Sequence, residues 1–429
     1  MTSELGAAEC FVYVTLPGET AFVIAAKFML TVDRLGVPTG RFVYGRSYLA
    51  RPGAVPVDPI ELKLTAKTYE SQLLGGVFGA IRDASPDNWG RRVIQMHSGK
   101  PQLGEVDYLL HSPDDRAGAL GFGLNATPPA PRTAFNRTLE LVRLQALADA
   151  VVADEDLPGG VEAQHVQDLL LVGTSMGGAR PKAVVEDADG LWIAKFNRLD
   201  DTWNNARVEH AMLVLARECG LNSALSRIVT IGQRDTLLVK RFDRDKVEGG
   251  YRRARMVSAL TLLRAGDRYQ DRSNWSYVLL AEELRRVVAR PKTDAKELFR
   301  RMTFNALISN IDDHPRNHAV IAMGNEWQLA PAYDLTPATP LSIERRDLAL
   351  ACGDFGRHAN ADNLLTQSAR FLVSQDEARR IIDDIESNVK NQWYDIARRE
   401  GVSEQDCRRL AGSFAYDGFR MPLQGSTRS

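Results

Sequence analysis

The stretch Ser309-Asn-Ile-Asp-Asp-His-Pro-Arg-Asn-His318 decides the expected fold of this chain. It follows a helical pattern of apolar residues and precedes a predicted hairpin, Ala319-Val-Ile-Ala and Trp327-Gln-Leu around a Gly-Asn turn. The segment Tyr333-Asp-Leu-Thr-Pro337 lies just beyond the second strand. Three side chains with oxygen acceptors therefore bracket a single hairpin: Asp312, Asn317 and Asp334.

This arrangement of acceptors is typical of phosphoryl transfer. One carboxylate orients or deprotonates the attacking hydroxyl, while an amide oxygen and a second carboxylate hold Mg²⁺ against the phosphates. The catalytic loop of protein kinases has the same spacing from Asp to Asn ahead of its metal-binding Asp. Here His314 follows the first Asp instead of preceding it, so the similarity is one of mechanism and not a literal kinase signature.

Two other interpretations of this stretch stay open. Asp and Asn often shape the turns around a hairpin without binding anything. His314 and His318 stand four residues apart beside Asp313, which is a spacing used by metal hydrolases. Pro315 disfavours a helix through the two histidines, and the Glu of a His-Glu-x-x-His site is absent. Phosphoryl transfer is therefore the favoured interpretation.

A glycine-rich segment lies upstream, at Gly173-Thr-Ser-Met-Gly-Gly-Ala-Arg-Pro-Lys182. The backbone N–H groups of such a segment can approach phosphates, although the order of a Walker A loop is missing. Lys195 follows on a predicted strand, where a buried ammonium needs an anionic partner and where kinases place their phosphate lysine. Glu209, early on the next predicted helix, is a candidate partner for Lys195. A plain turn, a surface lysine and a helix-surface glutamate are the alternatives.

A third motif, Val239-Lys-Arg-Phe-Asp-Arg244, stands where the β-rich part of the chain gives way to helices. A hinge strand between two lobes would offer backbone groups to adenine and an apolar side chain for packing. The alternative is an ordinary strand end with a solvated charge cluster.

The order of predicted elements divides the chain into three parts. A small β-rich module ends at the Pro-rich break 127–132, an α/β unit with two hairpins follows, and helices dominate from Asp243 onward. The predicted boundaries are 1–130, 131–242 and 243–429. The hairpins are predicted across turns 187–190 and 232–235; helices are predicted from Asn88, over 139–152 and 208–219, from an N-cap at Asp294 to Ile308, and over 381–396.

Composition excludes several classes of protein. The 429 residues are 44% hydrophobic and 25% charged, which excludes a largely disordered chain. The formal net charge of −1 disfavours a protein that binds nucleic acid mainly through phosphates. The four cysteines lie far apart, which disfavours a zinc or disulfide framework and is typical of a reducing compartment. With an acidic start and no long apolar stretch, the sequence predicts a soluble cytoplasmic protein.

Taken in order, these motifs resemble those of the HipA family, bacterial serine/threonine-protein kinase toxins of HipA–HipB toxin–antitoxin systems. The segment 74–94, with Gly-Gly-Val-Phe-Gly and Pro-Asp-Asn-Trp-Gly-Arg, is similar to the family's N-terminal domain, so the resemblance spans nearly the whole chain. It implies an α+β, two-lobed protein-kinase-like fold, with a small β-rich N-terminal domain and a mainly helical C-terminal lobe.

The resemblance also implies roles for the residues of each motif. Asp312 would be the catalytic residue, and Asn317 and Asp334 would be Mg²⁺ ligands. Lys195 would contact the ATP phosphates, and Ser175 would be autophosphorylated, which switches the kinase off. The remaining implied or supporting positions are Gly177, Gly178 and Lys182 of the phosphate loop, Lys240 and Phe242 for adenine, His314, Glu209, and Arg316 in place of the usual Lys.

The partners implied by the resemblance are a HipB-like helix-turn-helix antitoxin, operator DNA contacted mainly through that antitoxin, and a protein substrate, with an aminoacyl-tRNA synthetase as the known target class. The leading hypothesis is thus an ATP- and Mg²⁺-dependent toxin kinase that arrests growth. A non-catalytic operator-bound co-repressor and a small-molecule kinase are the alternatives.

Overall fold

The chain is organised as two compact units. A computed structural model describes residues 7–98, 103–153, 180–339 and 341–423. Unit 1 comprises Met1–Leu199, Leu238–Thr261 and Val320–Trp327, and unit 2 comprises Asp200–Leu237, Leu262–Ala319 and Gln328–Ser429. The three-part division at residues 130 and 242 stays a prediction.

The strands of the described residues group into four sheets. In chain order they are β1 Ala8–Thr15, β2 Phe22–Val32, β3 Pro38–Tyr44, β4 Tyr69–Ser71, β5 Leu120–Gly123, β6 Asn136–Arg137, β7 Lys182–Asp187, β8 Gly190–Phe196, β9 Ser226–Ile231, β10 Arg234–Lys240, β11 Arg244–Val247, β12 Gly250–Arg253, β13 Arg255–Ser258, β14 Ala319–Ala322 and β15 Gln328–Leu329. The strand orders are β4-β3-β2-β1-β5, β6-β7-β8-β10-β9, β11-β12 and β13-β14-β15.

Helices account for most of the remaining regular structure. The α-helices of the described residues are α1 Arg46–Leu49, α2 Gly79–Asp83, α3 Asn88–Ser98, α4 Glu105–His111, α5 Leu141–Ala153, α6 Asn205–Glu218, α7 Ala259–Leu262, α8 Tyr277–Val287, α9 Pro291–Ile308, α10 Ala361–Thr366, α11 Gln375–Arg399 and α12 Glu404–Leu410. Within the described ranges, no helix combines the length and apolar character needed to cross a membrane.

The first sheet builds an aromatic core in unit 1. Phe28, Phe42 and Phe78 are buried and meet edge to face, with ring centroids 6.1–6.3 Å apart. Strand β3 approaches the segment before α2 so closely that a Cβ at Gly40 would lie 1.7 Å from the Gly76 carbonyl oxygen. Gly76 itself has a φ of +80°, so both positions require glycine.

The hairpin predicted across residues 187–190 is confirmed. Strands β7 and β8 pair antiparallel, with Lys182 opposite Lys195, and the turn closes at Gly190, which has a φ of +119°. The second predicted hairpin is formed by β9 and β10, and its turn is shorter than expected because β10 already begins at Arg234.

Four buried charged residues of unit 1 form a cluster at the end of β10. Arg241 donates to Asp115 Oδ1 and to Asp243 Oδ2, each at 2.8 Å, and Arg244 donates to Asp243 Oδ2 at 2.7 Å. The four side chains are at most 1% exposed. Burial alone would raise the pKa of Asp243, but the two guanidinium groups outweigh it and hold that pKa well below its usual range. The Gly118 N–H also donates to Asp243 Oδ2, at 2.8 Å, so the cluster fastens the segment after α4 to the end of β10.

Helices pack around a single buried helix in unit 2. Helix α9 is apolar on most of its surface in its last two turns, and residues 301–308 are all buried. The prediction that Asp294 caps this helix is wrong, because α9 begins at Pro291, whose ring suits the first helical position. The predicted apolar face of the C-terminal helix is confirmed: Ile381, Ile385, Val389 and Ile396 of α11 are buried.

We predict that Asp115→Ala destabilises the protein by about 3–5 kcal/mol, because it leaves two buried guanidinium groups with one carboxylate. Urea unfolding followed by circular dichroism measures the loss. The control is Asp245→Ala, which removes the half-exposed Arg252–Asp245 pair at 4.0 Å and should cost about 0–1 kcal/mol. Similar small losses in both variants would contradict the stabilising role of the buried cluster.

Candidate functional site

The loop between α9 and β14 carries the predicted catalytic residue. Helix α9 ends where Ser309 adopts a left-handed conformation, with a φ of +56°. A short 3₁₀ turn over Pro315–Asn317 then leads the chain into β14. The loop leaves Asp312 exposed, whereas Asn317 is buried. A solvent-accessible carboxylate therefore stands in the same loop as an inward-facing amide.

Two carboxylates of unit 2 influence each other at this loop. Partial loss of hydration and the neighbouring Asp334 and Asp313 raise the pKa of Asp312, while His314 and Arg272 act in the opposite direction. Asp334 is half-buried and holds a left-handed backbone conformation, with a φ of +60°. The structure thus brings Asp312 and Asp334 close enough to repel each other, which a bound cation would relieve.

The amide of Asn317 fits a metal ligand. Its Nδ2 atom contacts the Asp312 backbone carbonyl at 3.4 Å, whereas its buried Oδ1 has no hydrogen-bond partner among the described residues. A buried amide oxygen left without a donor is costly unless a cation or a water satisfies it. Together with the two carboxylates, this oxygen gives the hard donor set that Mg²⁺ prefers. Across the described ranges, this site included, no group of three or more His, Cys, Asp and Glu side chains is arranged to hold a metal ion, so a site here depends on the amide oxygen beside two carboxylates.

Asp313 has a structural position that the sequence did not reveal. Its buried carboxylate accepts a hydrogen bond from the Tyr277 hydroxyl, and His318 Nε2 lies 2.8 Å from the same oxygen, Oδ2. His318 is therefore engaged with Asp313 and not with His314, so the four-residue spacing of the histidines does not form a ligand pair. His314 Nδ1 is buried and has no hydrogen-bond partner in the described part of the chain.

Arg316, which stands where the motif usually has Lys, is held in an ion pair. Its guanidinium contacts the carboxylate of Asp267, and the Tyr333 hydroxyl donates to its backbone carbonyl at 2.6 Å. These contacts tie the loop that carries Asp312 to the segment that carries Asp334 and to the loop before α8.

Two lysines of unit 1 face the same side of the second sheet. Lys182 and Lys195 are cross-strand neighbours on β7 and β8. Lys182 is buried and pairs with the carboxylate of Asp87, which also caps α3 by accepting from the Gly90 N–H at 2.9 Å. Lys195 is half-buried. The Asp87 partner, which the sequence did not identify, neutralises Lys182 and gives it an anchoring position at the start of β7.

The predicted adenine-binding residues lie at the end of β10. The Lys240 ammonium is 5.9 Å from the Trp192 ring centroid, and Phe242 packs against Ala117 and Ile193. The Arg241 N–H donates to the Leu191 carbonyl at 2.9 Å. Strand β10 ends at Lys240, so Phe242 lies just beyond it, and the adenine-binding role of both residues stays a prediction.

The remaining predicted residues are placed as follows. Glu209 is buried on α6, in unit 2, and its pairing with Lys195 stays a prediction. Ser175, Gly177 and Gly178 lie outside the described residues. The structure thus brings Asp312, His314, Arg316, Asn317 and Asp334 together in unit 2. Lys182, Lys195 and Lys240 lie on strands of the second sheet and Phe242 follows the last of these strands, all four within unit 1.

A literal kinase tripeptide elsewhere in the chain is not part of this site. Asp354-Phe355-Gly356 spells the metal-binding motif of protein kinases. Asp354 is exposed, however, and its Oδ1 accepts from Gln367 Nε2 at 2.5 Å. The tripeptide forms a surface turn that Asn363 fixes by accepting from the Phe355 N–H at 2.8 Å.

Comparisons with known proteins identify related chains. A model of the HipA-like C-terminal domain matches residues 174–393, just over half of the chain. A solved HipA of Shewanella oneidensis MR-1, from a complex with HipB and its operator DNA, is 17% identical, covers 94% of both chains and has a TM-score of 0.67. The Helicobacter pylori proinflammatory kinase CtkA is 15% identical, is matched over 57% of this chain and 91% of its own, and has a TM-score of 0.38. No curated protein matches.

At 17% identity, the similarity to the Shewanella HipA shows the fold alone. At that level, it confirms the predicted mixed α+β, kinase-like fold.

We predict that, without metal or nucleotide, Asp312→Asn is more stable than the wild type at pH 7. A folded-state pKa above the unfolded value of about 3.9 means that ionisation destabilises the folded protein as the pH rises through that window. The difference should vanish below about pH 4. Urea unfolding at several pH values measures it.

The matching double-mutant cycle uses Asp334→Asn. Because both substitutions relieve the same repulsion, the double variant should gain less stability than the sum of the single variants. Strict additivity, or a variant less stable than the wild type at pH 7, would contradict the proposed repulsion.

Proposed function

This chain belongs to the HipA family, and we propose that it is an ATP- and Mg²⁺-dependent protein serine/threonine kinase that acts as the toxin of a toxin–antitoxin pair. The observation that carries the proposal is the buried, unpartnered Oδ1 of Asn317 beside two mutually repelling carboxylates. Such an arrangement is unfavourable without a cation and well suited to one that accompanies a nucleotide triphosphate.

Each residue of unit 2 then has a distinct task. Asp312 is exposed, so its carboxylate accepts the proton of the attacking serine hydroxyl. Asn317 and Asp334 would hold Mg²⁺, which neutralises charge on the phosphates when it is bound. Arg316 holds the loop in position through its ion pair with Asp267.

The residues of unit 1 supply the nucleotide contacts in this proposal. Lys195 contributes the cation for the phosphates, and its neighbour Lys182 stays neutralised by Asp87. The backbone of Lys240 and Phe242 holds adenine. The glycine-rich segment with Gly177 and Gly178 covers the phosphates, and phosphorylation of Ser175 adds about −1.5 to −2 charges there, which repels ATP and switches the enzyme off.

The proposed partners follow from the family and from charge. The related Shewanella HipA forms a complex with HipB and operator DNA. A net charge of −1 favours DNA contact mainly through a helix-turn-helix antitoxin of the HipB type. The substrate is proposed to be a protein serine, with an aminoacyl-tRNA synthetase as the first target to test.

We predict that the purified protein transfers the γ-phosphate of labelled ATP and carries phosphate at Ser175 by mass spectrometry. Asp312→Asn should slow the transfer by about 10²–10⁴-fold, because the proton acceptor is lost. The matched control is Asp354→Asn, which alters the surface tripeptide and should retain activity. A wild type that transfers no label, and is as inert as Asp312→Asn, would refute the kinase.

Growth after expression without an antitoxin separates catalysis from binding. We predict that the wild type arrests growth and that Asp334→Ala does not, since it lacks one metal ligand. Equal arrest by both would favour the non-catalytic co-repressor. Labelling of sugars or lipids, with no protein labelled in a lysate, would favour a small-molecule kinase.

A further inference from the structure

A buried phenol stands at the centre of a hydrogen-bond path in unit 2. Tyr277, the first residue of α8, is fully buried, and its hydroxyl donates to Asp313 Oδ2. His318 Nε2 lies 2.8 Å from the same oxygen and its ring meets the Tyr277 ring edge to face, with centroids 5.5 Å apart. These contacts hold the loop in place at Asp313, the residue directly after Asp312.

The same hydroxyl also connects to the segment that carries the second predicted metal ligand. Asn305 Nδ2 donates to the Tyr277 oxygen at 3.2 Å, and Asn305 Oδ1 accepts from Asn310 Nδ2 at 3.1 Å. Asn310 Nδ2 in turn reaches the backbone carbonyl of Asp334 at 3.4 Å. That carbonyl belongs to the residue in the left-handed conformation.

The direction of these hydrogen bonds is set by electrostatics. Burial, and then the neighbouring Asp313, raise the pKa of Tyr277 well above its usual range, so the phenol stays protonated and remains a donor. A buried carboxylate can only accept, which fixes His318 Nε2 as the second donor. The Tyr277 hydroxyl therefore donates to Asp313 and accepts from Asn305.

We propose that Tyr277 is a positioning residue for the metal-binding set. Its hydroxyl joins the loop of Asp312 and Asn317 to the backbone of Asp334, so that the two ligands Asn317 and Asp334 are held at one spacing before a cation arrives. Such outer hydrogen bonds orient ligands and tune the affinity of a metal site. This inference rests on the proposed function of the same site.

The test compares Tyr277→Phe with Tyr416→Phe. Both substitutions keep a buried ring and delete one buried hydroxyl; that of Tyr416 donates to the Ala359 carbonyl at 2.5 Å and is not part of the Tyr277 hydrogen-bond path. We measure Mn²⁺ affinity by electron paramagnetic resonance, kcat and KM for ATP, and the unfolding midpoint. Tyr277→Phe should bind Mn²⁺ about tenfold more weakly and lower kcat by about 10–100-fold, with KM for ATP little changed. Tyr416→Phe should lose stability alone.

A second variant covers the case in which Tyr277→Phe does not fold. Asn310→Ala cuts the path at its other end and leaves the Tyr277–Asp313 contact in place, so it should weaken Mn²⁺ binding similarly. Equal Mn²⁺ affinity in the wild type and in the folded variants would overturn the inference.

The Mn²⁺ measurement also separates this inference from the proposed kinase. A wild type that binds Mn²⁺ but transfers no phosphate refutes the kinase, while the comparison of affinities still decides the role of Tyr277. A wild type that neither binds Mn²⁺ nor transfers phosphate refutes both.

Discussion

The candidate site depends on one buried carboxylate that never touches a substrate. Asp313 is surrounded by protein and receives a phenol and an imidazole as donors. An isolated buried carboxylate would be strongly unfavourable, and two donors make its burial tolerable. Asp313 follows Asp312 directly in the chain. Placing the Asp313 carboxylate against its buried donors therefore directs the Asp312 carboxylate toward solvent. The same carboxylate also holds His318, the residue after the inward-facing Asn317.

Local patterns were sufficient to predict much of the fold and the acceptors of unit 2. The Asp-Ala-Asp-Gly turn at 187–190 predicts the β7–β8 hairpin because Gly190 must adopt a positive φ. The apolar spacing from Ile381 to Ile396 predicts α11 because it gives one buried face. The clustering of Asp312 and Asp334 was predictable because a short hairpin separates them in the chain.

Partners distant in the chain could not be predicted. Nothing local indicates that Lys182 pairs with Asp87, that Asp115 joins the arginines 126 residues or more away, or that Tyr277 holds Asp313. Such pairs are set by how the elements pack, and a single sequence contains no periodicity that reports packing. The start of α9 was missed for a smaller reason: Asp294 is a good capping residue, but Pro291 had already begun the helix.

The backbone of Asp334 adopts a conformation that favours glycine, and it does so to place one side chain. A left-handed conformation is unfavourable for most L-residues and is tolerated by Asp, whereas glycine adopts it freely. If the Asp334 side chain were not needed, glycine at this position would fit the backbone conformation better. Asp334 thus represents the trade-off of a position kept for chemistry at the expense of folding.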